Sequence, residues 1–401
     1  MATPTSLVIP NQDLKVIGLI GTGHFFSHVY MLLLPPLFPL LREVYGVGFT
    51  ELGFALTVFS LATGLTQAPV GFLVDHYGAR TLLIGGIFLE ALAIALIGVF
   101  PYYGALLACL ALAGLANAVY HPADYSILNA SVAPERMGRA FSLHTFAGFL
   151  GNALAPMTIL TLTAVGGWRL GLITCGAAGA IVALLLALNS AVLHDVSKSA
   201  RGAASSHERG SWQLLFKAPI LMGMLFFVCI AIIGQGINGF SVAALHALYD
   251  APLTDAGKIL TAYVFASPIG VLVGGWIADR YHRHDVVAAL CFIVSGIAIL
   301  AVAALDLPLT MIAALFALGG FAIGLVAPSR DMLVRAVTPP GQFGKVFGFV
   351  STGFNIGGII APPIFGYLLD HGDPKLLFWA VGVMSLLTVA TVLETGRRGR
   401  R

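Results

Sequence analysis

The sequence predicts an all-α membrane protein, with twelve transmembrane helices arranged as two pseudo-symmetric six-helix bundles. Three observations predict it. First, the 401 residues are 58% hydrophobic and only 10% charged, with a mean hydropathy of +0.93. An ordinary soluble domain carries about 25% charged residues, so this chain has too little polar side chain to cover a water-facing surface. The bilayer must be its main solvent. Second, apolar runs long enough to cross the hydrocarbon core, about 20 residues each, recur twelve times. Third, the two halves of the chain resemble each other.

The runs extend in order over 15–40, 51–75, 79–100, 103–130, 138–165 and 168–192, then 218–247, 254–279, 284–305, 307–336, 343–369 and 374–394. The opening stretch MATPTSLVIPNQDLK lacks the basic segment and cleavage site of a secretory signal, so the first run is expected to be a retained span. Glycine and proline are frequent inside the runs, which membrane helices tolerate when neighbouring helices re-satisfy the backbone. Closely spaced glycines, as in GGFAIG at 319–324, let helices approach closely. Between the sixth and seventh runs lies the longest polar stretch, HDVSKSARGAASSHERGSW at 194–212. It divides the chain into an N-terminal bundle (1–192), a cytoplasmic linker (193–217) and a C-terminal bundle (218–401) with a short basic tail.

Positive charge sets the orientation. With twelve spans, sixteen of the 21 lysines and arginines fall on the side that holds both termini. Four (Arg42, Arg169, Lys258 and Lys375) fall on the other, and Arg330 lies inside a span. Both termini are therefore expected in the cytoplasm, in keeping with a bacterial inner membrane. The four cysteines sit far apart inside apolar runs without CxxC spacing, which points to packing and away from disulfides or metal ligation. A net charge of +3 is too small to argue for nucleic acid. No nucleotide motif, HExxH or catalytic nucleophile pattern occurs, so neither a cofactor nor an enzyme is expected.

The repeat is visible without gaps. At an offset of 206, Ala116, Pro122, Ala130, Pro134, Gly138 and Phe141 match Ala322, Pro328, Ala336, Pro340, Gly344 and Phe347. At an offset of 204, GFLVDHYGAR (71–80) becomes GWIADRYHRH (275–284), keeping the glycine and Asp75 as Asp279. Each offset spans an even number of helices, so the copies cross the membrane in the same direction. Parallel repeats of this kind are typical of alternating-access transporters, whose substrate sits near the midplane between the halves.

These residues carry a family resemblance over essentially the whole chain. The pattern Gly71-x-Leu73-x-Asp75-x-x-Gly78-x-Arg80 resembles the loop signature of the major facilitator superfamily, and 275–284 is its degenerate echo. A narrower resemblance, to the fosmidomycin-resistance branch of drug exporters, rests on Ser27-His28, Pro39, Phe49-Thr50, Gly53, Gln67, Pro69 and Tyr120-His121-Pro122. In that branch an acidic residue directly follows the His-Pro pair. Here Ala123 follows, and Asp124 comes one later, turned by about 100° around the helix. Gly151-x-x-x-Ala155-Pro156 and Gly357-x-x-x-Ala361-Pro362 resemble part of the exporter signature without its trailing glycines.

Charged and polar residues at membrane depth are costly, about 2.5–3.5 kcal/mol each on insertion scales, and are the candidate functional residues. His24 and His28, four apart, share one face of the first helix; Asn117, His121 and Asp124 form a stripe on the fourth. The seventh offers Gln235 and Asn238, the tenth Arg330 and Asp331. The superfamily resemblance implies that these four helices line the cavity. Asp124 and Arg330 are equivalent in the repeat. Three readings stand side by side: an ion pair of the inner gate, a substrate-holding arginine with a proton-exchanging aspartate, or a permanent packing pair. Glu90 on the third helix faces either a partner helix or a polar pocket, and His144 is read as packing with a satisfied hydrogen bond. No metal site is expected.

The reading is a secondary active transporter of a small organic molecule, acting as a monomer by rocker-switch alternating access and coupled to protons. Export of a drug or organic anion is favoured over uptake of a carboxylate, and a transport-dead sensor on the same fold is the alternative of another class. The resemblance implies that Asp75 meets the N-terminal end of the eleventh helix, where the macrodipole favours an anion, with Arg80 and Arg139 as braces and Gly71 and Gly78 allowing close approach and the turn. Asp75→Asn is then expected to insert normally but to shift the balance of inward and outward states, measured by accessibility of single cysteines placed on either side of the membrane.

Overall fold

The computed structural model describes residues 11–133, 136–194, 212–339 and 343–399, and no strand occurs among them. Eleven described helices are long and apolar enough to cross a membrane. One of them, Met137–Leu188, is 52 residues long. A straight helix of that length would measure roughly 78 Å, more than twice the hydrocarbon core. It is interrupted at Gly167, whose φ of 82° and ψ of 161° are non-helical and open to glycine alone at little cost. Counted on either side of this residue, the spans number twelve, and the fifth and sixth follow one another with no intervening loop.

We label the spans α1 to α12. α1 is Asn11–Met31. Pro35 and Pro36 lack amide hydrogens and end the apolar run that the sequence carries to residue 40, leaving a 3-10 turn, Pro35–Leu37, and a short helix, Phe38–Tyr45. α2 is Phe49–Tyr77 and α3 is Ala79–Val99. They are joined by Gly78 alone, at φ 92°, and the equivalent turn in the second half takes residues 281–283. α4 comprises Tyr103–Asn117 and Tyr120–Ser131. Its break has a local cause: Pro122 has no N–H to give to Ala118 four residues back, and the chain tightens there, Val119 bonding to the Ala116 carbonyl at 3.1 Å. α5 and α6 are residues 137–166 and 168–188. α7 runs through Ala218–Gln235, a π-helical turn at Gly236–Phe240, and Ser241–Tyr249. α8 is Leu253–Arg280, α9 is His284–Ala304, α10 is Leu309–Ala336, α11 is Phe343–His371 and α12 is Lys375–Gly399. Of the expected 193–217 linker, residues 195–211 lie outside the described residues.

By contact, the chain falls into two compact units. One holds the described residues within Met1–Met31, Leu61–Ala155 and Leu162–Arg209; the other holds those within Leu32–Ser60, Pro156–Thr161 and Gly210–Arg401. In the first, Val16 and Ile20 of α1, Leu83 and Ile87 of α3, and Tyr120 and Ile127 of α4 belong to one buried cluster. Lipid tails are as apolar as these side chains, so the contact is stabilised by close packing.

In the second unit, α8 and α10 are keyed together through glycines. A Cβ on Gly320 would overlap the Tyr263 carbonyl, and one on Gly324 the Ser267 carbonyl; Gly270 and Gly274 receive Phe321 and Leu325 in the same way. The close approach expected of GGFAIG is thus made. Gly357 of α11 meets Val228 of α7 similarly. At Gly71, no described atom lies within 4 Å of where a Cβ would stand.

A far-reaching cap closes one helix end in this unit. The Asp370 carboxylate accepts hydrogen bonds from the Phe49 and Thr50 amides, both at 2.8 Å, and from the Thr50 hydroxyl at 2.7 Å. It therefore serves the first unpaired amides of α2, where an anion is also favoured by the helix dipole.

Neighbouring glycines on α8 provide the test of the seam. A Cβ on Gly274 would stand 2.5 Å from the Leu325 carbonyl oxygen, whereas one on Gly275 meets nothing within 4 Å. Gly274→Ala is expected to lower the unfolding temperature in detergent and Gly275→Ala to leave it level or raise it, since alanine is the better helix former by about 1 kcal/mol.

Candidate functional site

The candidate site of the first unit is built on α4. Asn117, Tyr120, His121 and Asp124 recur at helical spacing and share a face. Asp124 is fully buried. Its Oδ2 lies 2.9 Å from Nε2 of His144 on α5 and 3.5 Å from Nδ1 of His24 on α1. The His24 and His144 rings stack with centroids 3.8 Å apart, and His28 and His121 meet His24 edge-on at 4.6 and 5.3 Å. His24 is buried and His121 is exposed, so the cluster runs from the interior of the unit to a surface.

Glycines make room for it. A Cβ on Gly148 of α5 would stand 2.8 Å from Nε2 of His24, and Gly151 lets the Phe25 carbonyl approach. This is the close-contact role of the Gly151-x-x-x-Ala155-Pro156 pattern. One turn beyond Gly148, Asn152 bonds to Nδ1 of His28 at 2.9 Å. The Asp124 Oδ1 and His24 Nδ1 atoms are buried without a hydrogen-bond partner. A carboxylate touching two imidazoles in a water-poor setting suits proton exchange, because the charge of each group depends on where the proton sits.

The same three groups, His24, Asp124 and His144, lie within 4.8 Å of one another at their ligand atoms, close enough for a metal ion. The ring stacking argues against it. An imidazole lone pair lies in the ring plane, and an ion in the plane of one stacked ring sits a stacking distance away from the plane of the other.

A second buried carboxylate lies on α3. Glu90 accepts a 3.2 Å hydrogen bond from Asn117. Of its two alternatives, a partner helix or a polar pocket, it meets a partner helix, through Asn117 of α4. Tyr30 and Asn152 are not among the candidates of the sequence, and Tyr120 enters there only as a motif residue; Tyr120 and Asn152 do lie at helical spacing from Asp124 and His144. The hydrogen bond expected of His144 is made, and it goes to Asp124.

The second unit holds the other candidates. Gln235 ends the regular part of α7 and Asn238 lies in its π-helical turn, a distortion frequent at functional sites. Asn238 Oδ1 is buried without a partner. Arg330 donates from Nε to Asp331 at 2.8 Å, and its guanidinium lies 5.1 Å from the Phe227 ring centre and 5.6 Å from that of Phe354. Asp124 and Arg330, equivalent by repeat, are thus each engaged within their own unit. Of the loop motif, Arg80 donates to the Ser190 carbonyl at 3.1 Å, Arg139 is half-buried, and Asp279 is exposed at the end of α8. The side chain of Asp75 lies outside the described residues. A further ion pair, Arg136 to Asp13 at 2.7 Å, ties the start of α5 to that of α1.

The described spans define a multi-pass integral membrane protein, and comparison with known proteins names its kind. A family model, Major Facilitator Superfamily, matches residues 20–245 and 224–400. The chain is 24% identical to the fosmidomycin resistance protein of Escherichia coli K12, over 96% of this chain and 93% of that one. It is 27% identical to a "Probable L-galactonate transporter" of the same organism, over 60% and 55% of the two chains. The crystal structure of a bacterial homologue of the lysosomal transporter Spinster, inward-facing and unoccupied, superposes with a TM-score of 0.80 at 13% identity, covering 98% of each chain. The chain belongs to the Major Facilitator Superfamily. It is an integral membrane transporter of a small solute.

Removing His144 leaves Asp124 buried with one hydrogen bond fewer. His144→Ala is expected to cost about 1–3 kcal/mol of stability, read as a lowered unfolding temperature in detergent. Asn152→Ala, which frees only the half-buried His28, is expected to cost less.

Proposed function

We propose that this protein is a proton-coupled exporter of a small anionic organic molecule, working by rocker-switch alternating access. The observation that carries the reading is the contact of Asp124 with His144 and His24, with no lysine or arginine paired to the carboxylate among the described residues. Protonation and deprotonation of such a cluster change its charge by a full unit in a low-dielectric site, and so bias the conformations that open it to either side. His28, His121 and Asn117 extend this polar surface, and Gln235, Asn238 and Arg330 with Asp331 supply its counterpart in the second half. Arg330 is the group that would hold an anion. The similarity to a fosmidomycin resistance protein over nearly the whole chain supports export of a drug or organic anion.

In this reading the moving halves are residues 1–192 and 218–401, joined by 193–217, with both termini in the cytoplasm of a bacterial inner membrane and the monomer as working unit. Gly71, Asp75, Gly78, Arg80, Arg139 and Asp279 form the cytoplasmic gate. Proton-coupled uptake of a carboxylate is the second reading, favoured by the similarity to the L-galactonate transporter.

Reconstitution in liposomes under an imposed pH gradient, with organic anions and antimicrobials screened for flux, tests the reading; the direction of flux separates export from uptake. Silence in the wild type across a broad screen would favour a sensor. Asp124→Asn is expected to abolish gradient-driven flux while sparing substrate exchange. Full gradient-driven transport in that variant overturns the coupling role of Asp124.

A further inference from the structure

Glu90 is buried completely within the first unit, on α3, and the exchange chemistry at Asp124 does not use it. The groups set against it among the described residues are uncharged. From α4, Asn117 donates to Oε1 at 3.2 Å. The Tyr120 hydroxyl, also from α4, lies against the carboxyl as a second neutral donor. From α1, Tyr30 lies within electrostatic reach, but its hydroxyl donates to the Cys175 carbonyl of α6 at 3.1 Å. The second oxygen, Oε2, is buried as well. No lysine, arginine or histidine forms an ion pair with Glu90 among the described residues.

An ionised carboxylate here would stand in a low dielectric with only neutral donors and no counter-charge, a state that real proteins avoid by neutralising the group. A structural role alone explains it poorly. Glutamine would make the same bond to Asn117 and fill the same space without needing a proton. The placement is also specific. Asn117, which holds Glu90, and Asp124, which holds the histidines, sit at the two ends of one stripe on α4. Tyr120 lies between them, three residues after the first and four before the second. The break of α4 at Ala118 and Val119 falls inside this stripe. A change of bend there moves Tyr120 relative to Asn117, and so changes the donors that Glu90 sees.

We propose that Glu90 is a second, exchangeable proton-binding site, occupied by a proton in this conformation and connected to the Asp124 and histidine cluster along the Asn117, Tyr120, Asp124 face of α4. One proton adds to one carboxylate oxygen, and no other bond changes. Its part in transport rests on the proton-coupled reading given above; its protonation and exchange do not.

Infrared difference spectroscopy of the purified, full-length protein reads this directly. Wild type at neutral pH is expected to show a carboxylic acid carbonyl stretch that shifts in D2O, is absent in Glu90→Gln, persists in Asp124→Asn, and moves in frequency in Asn117→Ala, where its hydrogen bond is lost. A band unchanged by Glu90→Gln overturns the proposal, because Glu90 is then ionised. A band that fails to shift in D2O overturns exchangeability. Glu90→Gln keeps the bond to Asn117 and is expected to fold with the wild-type unfolding temperature; should it not fold, the frequency shift in Asn117→Ala decides alone, a stationary band counting against the proposal. In liposomes, Glu90→Gln is expected to exchange substrate but to accumulate less of it under a pH gradient than wild type. Absence of gradient-driven flux in wild type would defeat the proton-coupled reading while leaving the infrared result standing.

Discussion

Hydrocarbon offers no hydrogen bonds, and this single constraint organises the molecule. Every backbone amide and carbonyl must be served from within the chain, so the described residues form helices. Side chains obey the same constraint. Asp124 finds His144 and His24, Glu90 finds Asn117, and Arg330 finds Asp331 and two aromatic faces. Polar groups collect because each one alone would be expensive. Once collected, they form places among the described residues where a proton or an anion could rest.

The positions of the helices were legible because an apolar run of sufficient length has few other fates in a chain this poor in charge. Their interruptions were legible in part. Gly166 and Gly167 marked a boundary between two runs, but a hydrogen-bonded passage without a loop was not foreseeable from composition. Proline accounts for the breaks after Met31 and at Ala118. The π-helical turn of α7 has no such marker, since the three glycines around Gln235 and Asn238 permit a distortion without demanding one.

Within the candidate site, helical spacing identified faces correctly: His24 with His28, and Asn117 with His121 and Asp124. It could not say which faces meet. His144 lies 20 residues from Asp124 on the next helix, and only the packing of α5 on α1 through Gly148 and Gly151 brings the three groups together. The same limit hid Asp370, which serves amides 320 residues away. Spacing along a helix is a local property, whereas convergence depends on how helices roll against one another.

The glycine seam between α8 and α10 has a mechanical consequence. Two parallel helices keyed by four carbonyl-filled notches act as one beam. Creep along the seam is blocked, because the next set of notches lies a helical turn away, about 5.4 Å. Asp279 lies five residues past Gly274, and Arg330 five residues past Leu325, its partner across the seam. A shift of α8 along its axis therefore carries α10 with it, and Asp279 and Arg330 keep their spacing.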